Sequence, residues 1–575
     1  MYSDQTNIRQ LVSLLSETGI TNIVLCPGSR NAAIVHTLTN LPQFDCRLVT
    51  DERSAAFFAL GWACSTGKPA AVCCTSGSAL LNMHPAVAEA FYQEVPLLII
   101  SADRPAAWIG QMDGQTLPQP NVFGALVRRS VNLPQVKTKE DQWFCNRLIN
   151  EALLELNHNG KGPVHINIPV SEPIYSFVPE PPEKERIISR VSFRELVYPS
   201  EIHNDEAFRK LFNTFITAKS RLFVAGQLPP RSIFPELFKG RLSELAVFLS
   251  EHLANKNAPQ EAIENFDALL LALPEKDKEK LRPDLLITYG GHVVSKQLKL
   301  FLRKNPPKAH WHISPDGKVT DLFGALSTVI ECEPEDFFRV LSEMAEDIFE
   351  TPQNFGSEYL KTWHGLSQKV PVPTFSYSQE SATGALMKRL PASSVLHLAN
   401  SSTVRYAQLF ALPEGVSVTC NRGVNGIEGS LSAAVGYASA TPNRLNFVII
   451  GDLSFFYDMN ALWNENYGAN LRILLINNGG GEIFATLPGI DLHHISRTFI
   501  GGEHKTKAEG WARSVGFEYH RATDSSSLEE GLEALSAPAS DSAARPVLLE
   551  VFTNQAKDIE LLKRYYQTVK AVFQG

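Results

Sequence analysis

Short apolar runs rich in β-branched residues alternate with amphipathic stretches along the chain, and polar clusters fall where the apolar runs stop. The clearest case spans Asn446–Phe484. Leu445–Ile450 reads as a buried strand and stops at Gly451-Asp452. Phe456, Met459, Trp463 and Tyr467 then recur at helical spacing, with Gly468 as a stop signal. Ile473–Ile476 predicts a second buried strand, ending at Asn477-Asn478 and three glycines. Such crossovers join parallel strands with one hand. The carboxyl ends then point the same way, about 4.8 Å apart if the strands are adjacent. The pattern thus predicts Asp452 and Asn478 at one sheet edge, where open α/β sheets hold ligands.

The same alternation runs from the start of the chain. An amphipathic helix over 8–18 precedes strand Ile23–Cys26 and the turn Pro27–Asn31. Strand Arg47–Thr50 leads into Asp51–Ser54 and a helix through Ala63. Strand Ala70–Cys74 leads to Thr75–Ser78, and strand Pro96–Ser101 to Ala102–Pro105. Residues 169–186 hold five prolines and a charged tail, the composition of a linker. A second α/β pattern follows, with strands Leu222–Ala225, Leu285–Tyr289 and Ala309–Ile313. Another boundary falls at 369–378, before strands Val395–Ala399 and Val416–Thr419. The expected fold class is α/β: three doubly wound domains with mainly parallel sheets, over 1–180, 190–365 and 375–575.

Composition narrows the function classes. At 575 residues the chain exceeds what one core supports. Lys+Arg 53 against Asp+Glu 61 gives −8, which argues against a general nucleic-acid or anionic-membrane surface but leaves room for a local basic pocket. No apolar run reaches bilayer-spanning length, so no membrane insertion is expected. The start, MYSDQTNIRQ, lacks a basic-then-apolar signal pattern. Eight cysteines without a C-x-x-C, several in apolar strands, fit reduced thiols and a cytoplasmic location.

Asp452, the Asn478 amide oxygen and a glycine-turn carbonyl at Gly480 are hard oxygen donors suited to Mg²⁺ or Ca²⁺. One aspartate cannot neutralise a divalent ion, so an anionic ligand is needed. Backbone N–H groups of Gly479–Gly481 and the helix start at Ser454 can cradle phosphate oxygens. Either half alone is a helix cap or an Asn-Gly turn; both at strand ends around one crossover weigh against that plain reading.

Gly451-Asp452 followed by Asn477-Asn478 resembles the metal–diphosphate motif of thiamine diphosphate enzymes, with Leu453 where Gly or Ala is common. PGSR (27–30), DERS (51–54), TSGS (75–78), ADRP (102–105), NRG (421–423), GIEG (426–429), GDLS (451–454) and the stretch at 477–484 narrow the resemblance. Together they are similar to the 2-succinyl-5-enolpyruvyl-6-hydroxy-3-cyclohexene-1-carboxylate synthases of menaquinone biosynthesis, over essentially the whole chain. The resemblance implies decarboxylation of 2-oxoglutarate and conjugate addition of the resulting carbanion to isochorismate, with thiamine diphosphate and Mg²⁺, or Mn²⁺, as cofactors. It implies that Glu52 activates the aminopyrimidine as an acid/base. Ser76, Gly77, Ser401, Ile427, Gly451, Asp452, Leu453, Ser454, Asn478, Gly480, Gly481 and Ile483 would complete the cofactor site, with Asp452, Asn478 and Gly480 on the metal. Ser29, Arg30, Arg104, Gln115, Lys296, Ser401, Arg405, Arg422 and Phe484 would face the substrates, since guanidinium groups bind carboxylates in a two-pronged way. Gln297, Gly114 and Glu428 depart from the family pattern. The resemblance also implies a homodimer or homotetramer with active sites at the subunit interface.

Two rivals share these motifs: another thiamine diphosphate oxo-acid decarboxylase or carboligase, and a catalytically silent cofactor-binding protein. Arg30, Arg405, Arg422 and Lys296 speak against the first, Glu52 against the second. No strand is followed by G-x-G-x-x-G, and neither H-E-x-x-H nor G-x-S-x-G occurs.

Overall fold

The computed structural model describes residues 1–191, 206–230, 232–233, 235–238, 242–348, 357–483, 494–539 and 544–574. Three parallel sheets carry the described chain. In the first the spatial order is Asp45–Leu48, Asn22–Leu25, Ala70–Cys74, Leu97–Asp103, Val164–Pro169, Arg129–Asn132. The second runs Val247–Ser250, Arg221–Ala225, Leu285–Tyr289, Ala309–Ile313, Thr328–Ile330. The third runs Ser417–Thr419, Val395–Leu398, Asn446–Gly451, Leu471–Asn477, Val547–Phe552, Glu518–Ala522. Central strands such as Ala70–Cys74 and Leu471–Asn477 are buried along their whole length. That is why they read as unbroken apolar runs, with helices covering both faces.

Strand order reverses twice at places that matter. In the first sheet it reverses between Asn22–Leu25 and Ala70–Cys74, in the third between Val395–Leu398 and Asn446–Gly451. Loops leave three of these strands at Cys26, Thr75 and Ala399, and a helix opens directly at Asp452 after the fourth. Ligands of doubly wound sheets sit outside such reversals.

The first and third sheets share one core. Phe57, Phe58 and Leu60 from helix Glu52–Thr66 pack with Leu431, Ala434 and Val435 from helix Ser430–Ala440. These two helices meet backbone to backbone. A Cβ on Gly61 would lie 1.9 Å from the Ala433 carbonyl, and one on Gly436 2.0 Å from that of Phe58. Asn255 joins the second sheet to the third, donating to Val418 O at 2.8 Å and accepting from Val418 N at 2.7 Å. The last helix, Gln555–Gln574, returns to the middle region, where Tyr565 and Val569 pack with Ala272.

Three expectations change. The helix expected to run from Phe456 to Tyr467 stops early: Asp452–Tyr457 is helical, Met459–Leu462 forms a 3₁₀ turn, and Trp463 lies outside both. Asp458 breaks it, because its buried carboxylate accepts from Ser432 N and Ser432 Oγ, both at 2.7 Å. That long-range bond outweighs local periodicity. The strand expected at Arg47–Thr50 lies at Asp45–Leu48, since Asp51 caps the next helix through Arg53 N and Ser54 N. The proline-rich 169–186 stretch is strapped down: Phe177–Val178 pairs with Tyr2–Ser3, and Arg9 donates to the Glu180 and Pro181 carbonyls.

Replacing Gly61 by valine forces the two helices apart. Overpacking of this kind costs about 1–3 kcal/mol or more. The urea midpoint of Gly61→Val should fall well below that of the unmodified protein; an unchanged midpoint would contradict the close approach.

Candidate active site

The strands Asn446–Gly451 and Leu471–Asn477 pair directly, with Gly451 opposite Ile476. Asp452 therefore opens the next helix just beside the turn that follows Asn477. Its side chain is 3% exposed. Oδ2 accepts from the N–H groups of Asn478 at 3.1 Å, Gly479 at 2.8 Å and Gly480 at 3.0 Å, and Oδ1 from Leu453 N at 2.7 Å. The turn reaches this shape through positive φ at Gly479 (82°) and Gly480 (148°). His504 lies 3.4 Å from Oδ2, and the Asp452 carboxylate raises its pKa.

Asn478 donates from Nδ2 to Glu482 Oε2 at 2.9 Å, while among the described residues its Oδ1 has only a long 3.4 Å contact from Gln555. The Gly480 carbonyl, expected to be free, accepts from Glu482 N at 3.1 Å, and Gly481 N is bonded to Gly501 O at 2.6 Å. A carbonyl keeps a second lone pair, and Asp452 Oδ1 carries a single donor, so three oxygen ligands remain for a cation. Among the described residues no group of three His, Cys, Asp or Glu side chains is set to hold a metal. A cation here therefore relies on the amide and carbonyl oxygens and on a ligand's own anion. Beside the turn opens a polar cleft of about 250 Å³, with Arg497 and His504 on its wall.

The loop of Ile427 closes over the helix start: Ser454 Oγ donates to Ile427 O at 2.5 Å, and the Ile427 side chain is left exposed. Leu453 is half-buried, as is Ile483; Phe484 lies outside the described residues. Asn400, which sequence reasoning passed over, organises the neighbouring loops. Its Nδ2 donates to Asn421 O at 2.6 Å and Gly426 O at 2.7 Å, and its Oδ1 accepts from Arg422 at 2.8 Å. Ser401 sits at φ 72°, and its carbonyl accepts from Arg405.

Glu52 is the first residue of helix Glu52–Thr66 and accepts from Asn82 at 3.2 Å. Its neighbours tie it to the third sheet: Asp51 accepts from Asn460 at 2.8 Å and Arg53 donates to Tyr457 O at 2.6 Å. No bond joins Glu52 to Asp452 among the described residues. Ser76 is buried, and Gly77 N donates to Gln119 Oε1 at 2.8 Å. Gln119 is fully buried and bonded on to Asn167, a support with no local sequence signal.

The arginines divide. Arg30 is 5% exposed and bonds Val170 O at 3.2 Å and Glu172 at 3.1 Å, next to the exposed Ser29. Arg104 pairs with Asp113 at 3.0 Å and with Gly114 O at 2.8 Å, which secures the loop of Gln115 over Gly77. Arg422 is buried, and Glu89 from helix His84–Gln93 holds its turn, accepting from Gly423 N at 2.6 Å and Val424 N at 2.8 Å. Burial raises the Glu89 pKa, against the pull of those N–H groups and Arg422. Lys296 is exposed. One turn on, Lys299 is half-buried; burial lowers its pKa, with Arg422 and Arg405 acting in the same direction and Glu251 opposing. Neither Glu89 nor Lys299 lies in a recognisable motif, so only tertiary packing brings them forward.

Comparison with known proteins agrees with this architecture. Residues 6–123 match the family described as thiamine pyrophosphate enzyme, N-terminal TPP binding domain, and residues 400–551 its C-terminal TPP binding domain. The chain is 55% identical over 570 residues to the 2-succinyl-5-enolpyruvyl-6-hydroxy-3-cyclohexene-1-carboxylate synthase of Phocaeicola vulgatus, covering 99% of both chains. It is 53% identical to that of Bacteroides thetaiotaomicron, covering 99% of this chain and 100% of the relative. It is 39% identical to that of Flavobacterium johnsoniae, covering 97% and 98% respectively. Matched end to end at these identities, with both thiamine pyrophosphate domains at its two ends, the chain belongs to the 2-succinyl-5-enolpyruvyl-6-hydroxy-3-cyclohexene-1-carboxylate synthase family of thiamine diphosphate enzymes.

Proposed function

We propose that the protein decarboxylates 2-oxoglutarate and joins the remaining four-carbon unit to isochorismate by conjugate addition. The products are 2-succinyl-5-enolpyruvyl-6-hydroxy-3-cyclohexene-1-carboxylate and CO₂, in menaquinone biosynthesis. The observation that carries this reading is the full-length likeness to named synthases, together with parallel strands that end in Asp452 and Asn478 side by side.

Thiamine diphosphate supplies the electron sink that decarboxylation requires. Asp452, the Asn478 amide oxygen and the Gly480 carbonyl would hold Mg²⁺, or Mn²⁺; the N–H groups of Gly479, Gly480 and Gly481, expected to cradle phosphate, are already bonded to Asp452 and to the Gly501 carbonyl, so the diphosphate would be held through the metal and the helix start at Ser454. The Glu52 carboxyl holds and returns a proton at the far ring nitrogen of the aminopyrimidine, with Asn82 fixing one of its oxygens. Ser76, Gly77, Ser401, Ile427, Gly451, Leu453, Gly481 and Ile483 shape the cofactor's bed. Arg422 and Arg405 receive the oxo-acid carboxylates, while Arg30, Ser29, Arg104, Gln115 and Lys296 face isochorismate and Phe484 excludes water from it.

The same reading assigns 1–180 to aminopyrimidine binding, 190–365 to a central unit and 375–575 to diphosphate binding. It also makes the active unit a cytoplasmic homodimer or homotetramer with sites between subunits. Among the described residues no helix is long and apolar enough to cross a membrane.

Glu52→Gln should lower isochorismate-dependent CO₂ release by about 100-fold or more, while calorimetric binding of thiamine diphosphate with Mg²⁺ persists. Undiminished turnover would mean that the acid is misassigned. Arg422→Ala removes charge-assisted hydrogen bonds worth about 1.5–3 kcal/mol, so KM for 2-oxoglutarate should rise roughly 10- to 100-fold. Equal use of pyruvate by the unmodified protein, without need of isochorismate, would favour a different carboligase.

A further inference from the structure

Glu482 stands behind the oxygen ligands rather than among them. It is 3% exposed, its Oε2 accepts from Asn478 Nδ2 at 2.9 Å, and its Oε1 accepts from Tyr406 at 3.3 Å. Two further buried acids, Glu380 from helix Gln379–Met387 and Asp558 from helix Gln555–Gln574, lie close enough to act on it electrostatically. Burial, with Asp558 and Glu380 adding to it, pushes its pKa up to about 8.

An asparagine amide has two nearly equivalent orientations, one presenting oxygen and the other NH₂. Which one prevails is decided by its partners. An accepting oxygen on one side draws the NH₂ and turns the carbonyl oxygen away. The 3.4 Å contact from Gln555 is at the long end for a hydrogen bond and leaves Oδ1 largely free. Outer partners of this kind orient metal ligands and tune their affinity.

We propose that Glu482 is a positioning residue: its carboxyl oxygen fixes the Asn478 amide so that Oδ1, and not Nδ2, faces the cation beside Asp452. This inference rests on the metal role given to Asn478 above. Tyr406 holds the other Glu482 oxygen, so the carboxyl cannot swing away without losing a bond.

The test is calorimetric binding of thiamine diphosphate at increasing MgCl₂, with far-ultraviolet circular dichroism confirming that each variant is folded. Loss of an outer-shell partner costs about 10- to 100-fold in metal affinity, so Glu482→Leu should raise the half-saturating Mg²⁺ concentration by at least about tenfold. Glu482→Gln keeps an accepting oxygen and should stay near the unmodified value. In an Asn478→Ala background, Glu482→Leu should cause no further shift. An unshifted Mg²⁺ requirement in Glu482→Leu would overturn the proposal, as would the same shift with and without Asn478. Glu482→Met, measured in parallel, applies the same criteria if the leucine variant does not fold. Binding by the unmodified protein that ignores Mg²⁺ would sink the metal reading itself, and this inference with it.

Discussion

A buried carboxylate is costly unless it is bonded, and at Asp452 three successive amide N–H groups meet that need on a single oxygen. Much of the third sheet's edge is arranged to allow this. Two adjacent strands must end level, which their register secures, and the following turn must take positive φ at two glycines. A side chain on Gly480 would meet the Gly501 carbonyl at 2.8 Å, so segment 501–504 is held against the same turn. His504 completes the enclosure. The geometry collects positive partial charge around one anion and leaves its second oxygen with a single donor, Leu453 N.

Bonds between sequence-distant units fix the other groups relative to that centre. Glu89 reaches from the first sheet's layer to hold the Arg422 turn, and Asn255 does the same for Val418 from the middle one. Asp51 and Arg53 fasten the turn after Asp452 to the start of the helix that carries Glu52. In a protein of net charge −8 the buried arginines are anchored individually, Arg422 by the Asn400 amide oxygen and Arg30 by the Val170 carbonyl and the exposed Glu172. Arg422 and Arg30 are each committed to a neutral or acidic oxygen on one side, which orients the guanidinium without discharging it.

Much of this architecture was readable from residue order. Apolar runs such as Ala70–Cys74 and Leu285–Tyr289 became strands at the expected positions, because strands buried on both faces have no polar side to dilute the signal. The common edge of Asp452 and Asn478 followed from crossover handedness alone. What was not readable depends on side-chain partners that periodicity along the chain does not reveal. Asp458 ends a helix that its own neighbours favour, because Ser432 competes for its carboxylate. Glu482 and Gln119 have no local pattern to announce them; each is defined by the amide it bonds. Lys296 was chosen by motif; Lys299, one helical turn along, is the lysine whose pKa is lowered by burial and by the like charges of Arg422 and Arg405.

The shared core of the first and third sheets also governs when this protein can finish folding. Phe57, Phe58 and Leu60 emerge early from the ribosome, whereas Leu431, Val435 and Leu548 emerge near the end of synthesis. A nascent chain therefore carries an unsatisfied apolar face on helix Glu52–Thr66 through most of its translation, and Ala272 likewise waits for Tyr565 and Val569. Vectorial, unit-by-unit folding is incomplete here by construction. The last quarter of the chain closes seams opened at the beginning, and the nascent chain must be kept from aggregating until it arrives.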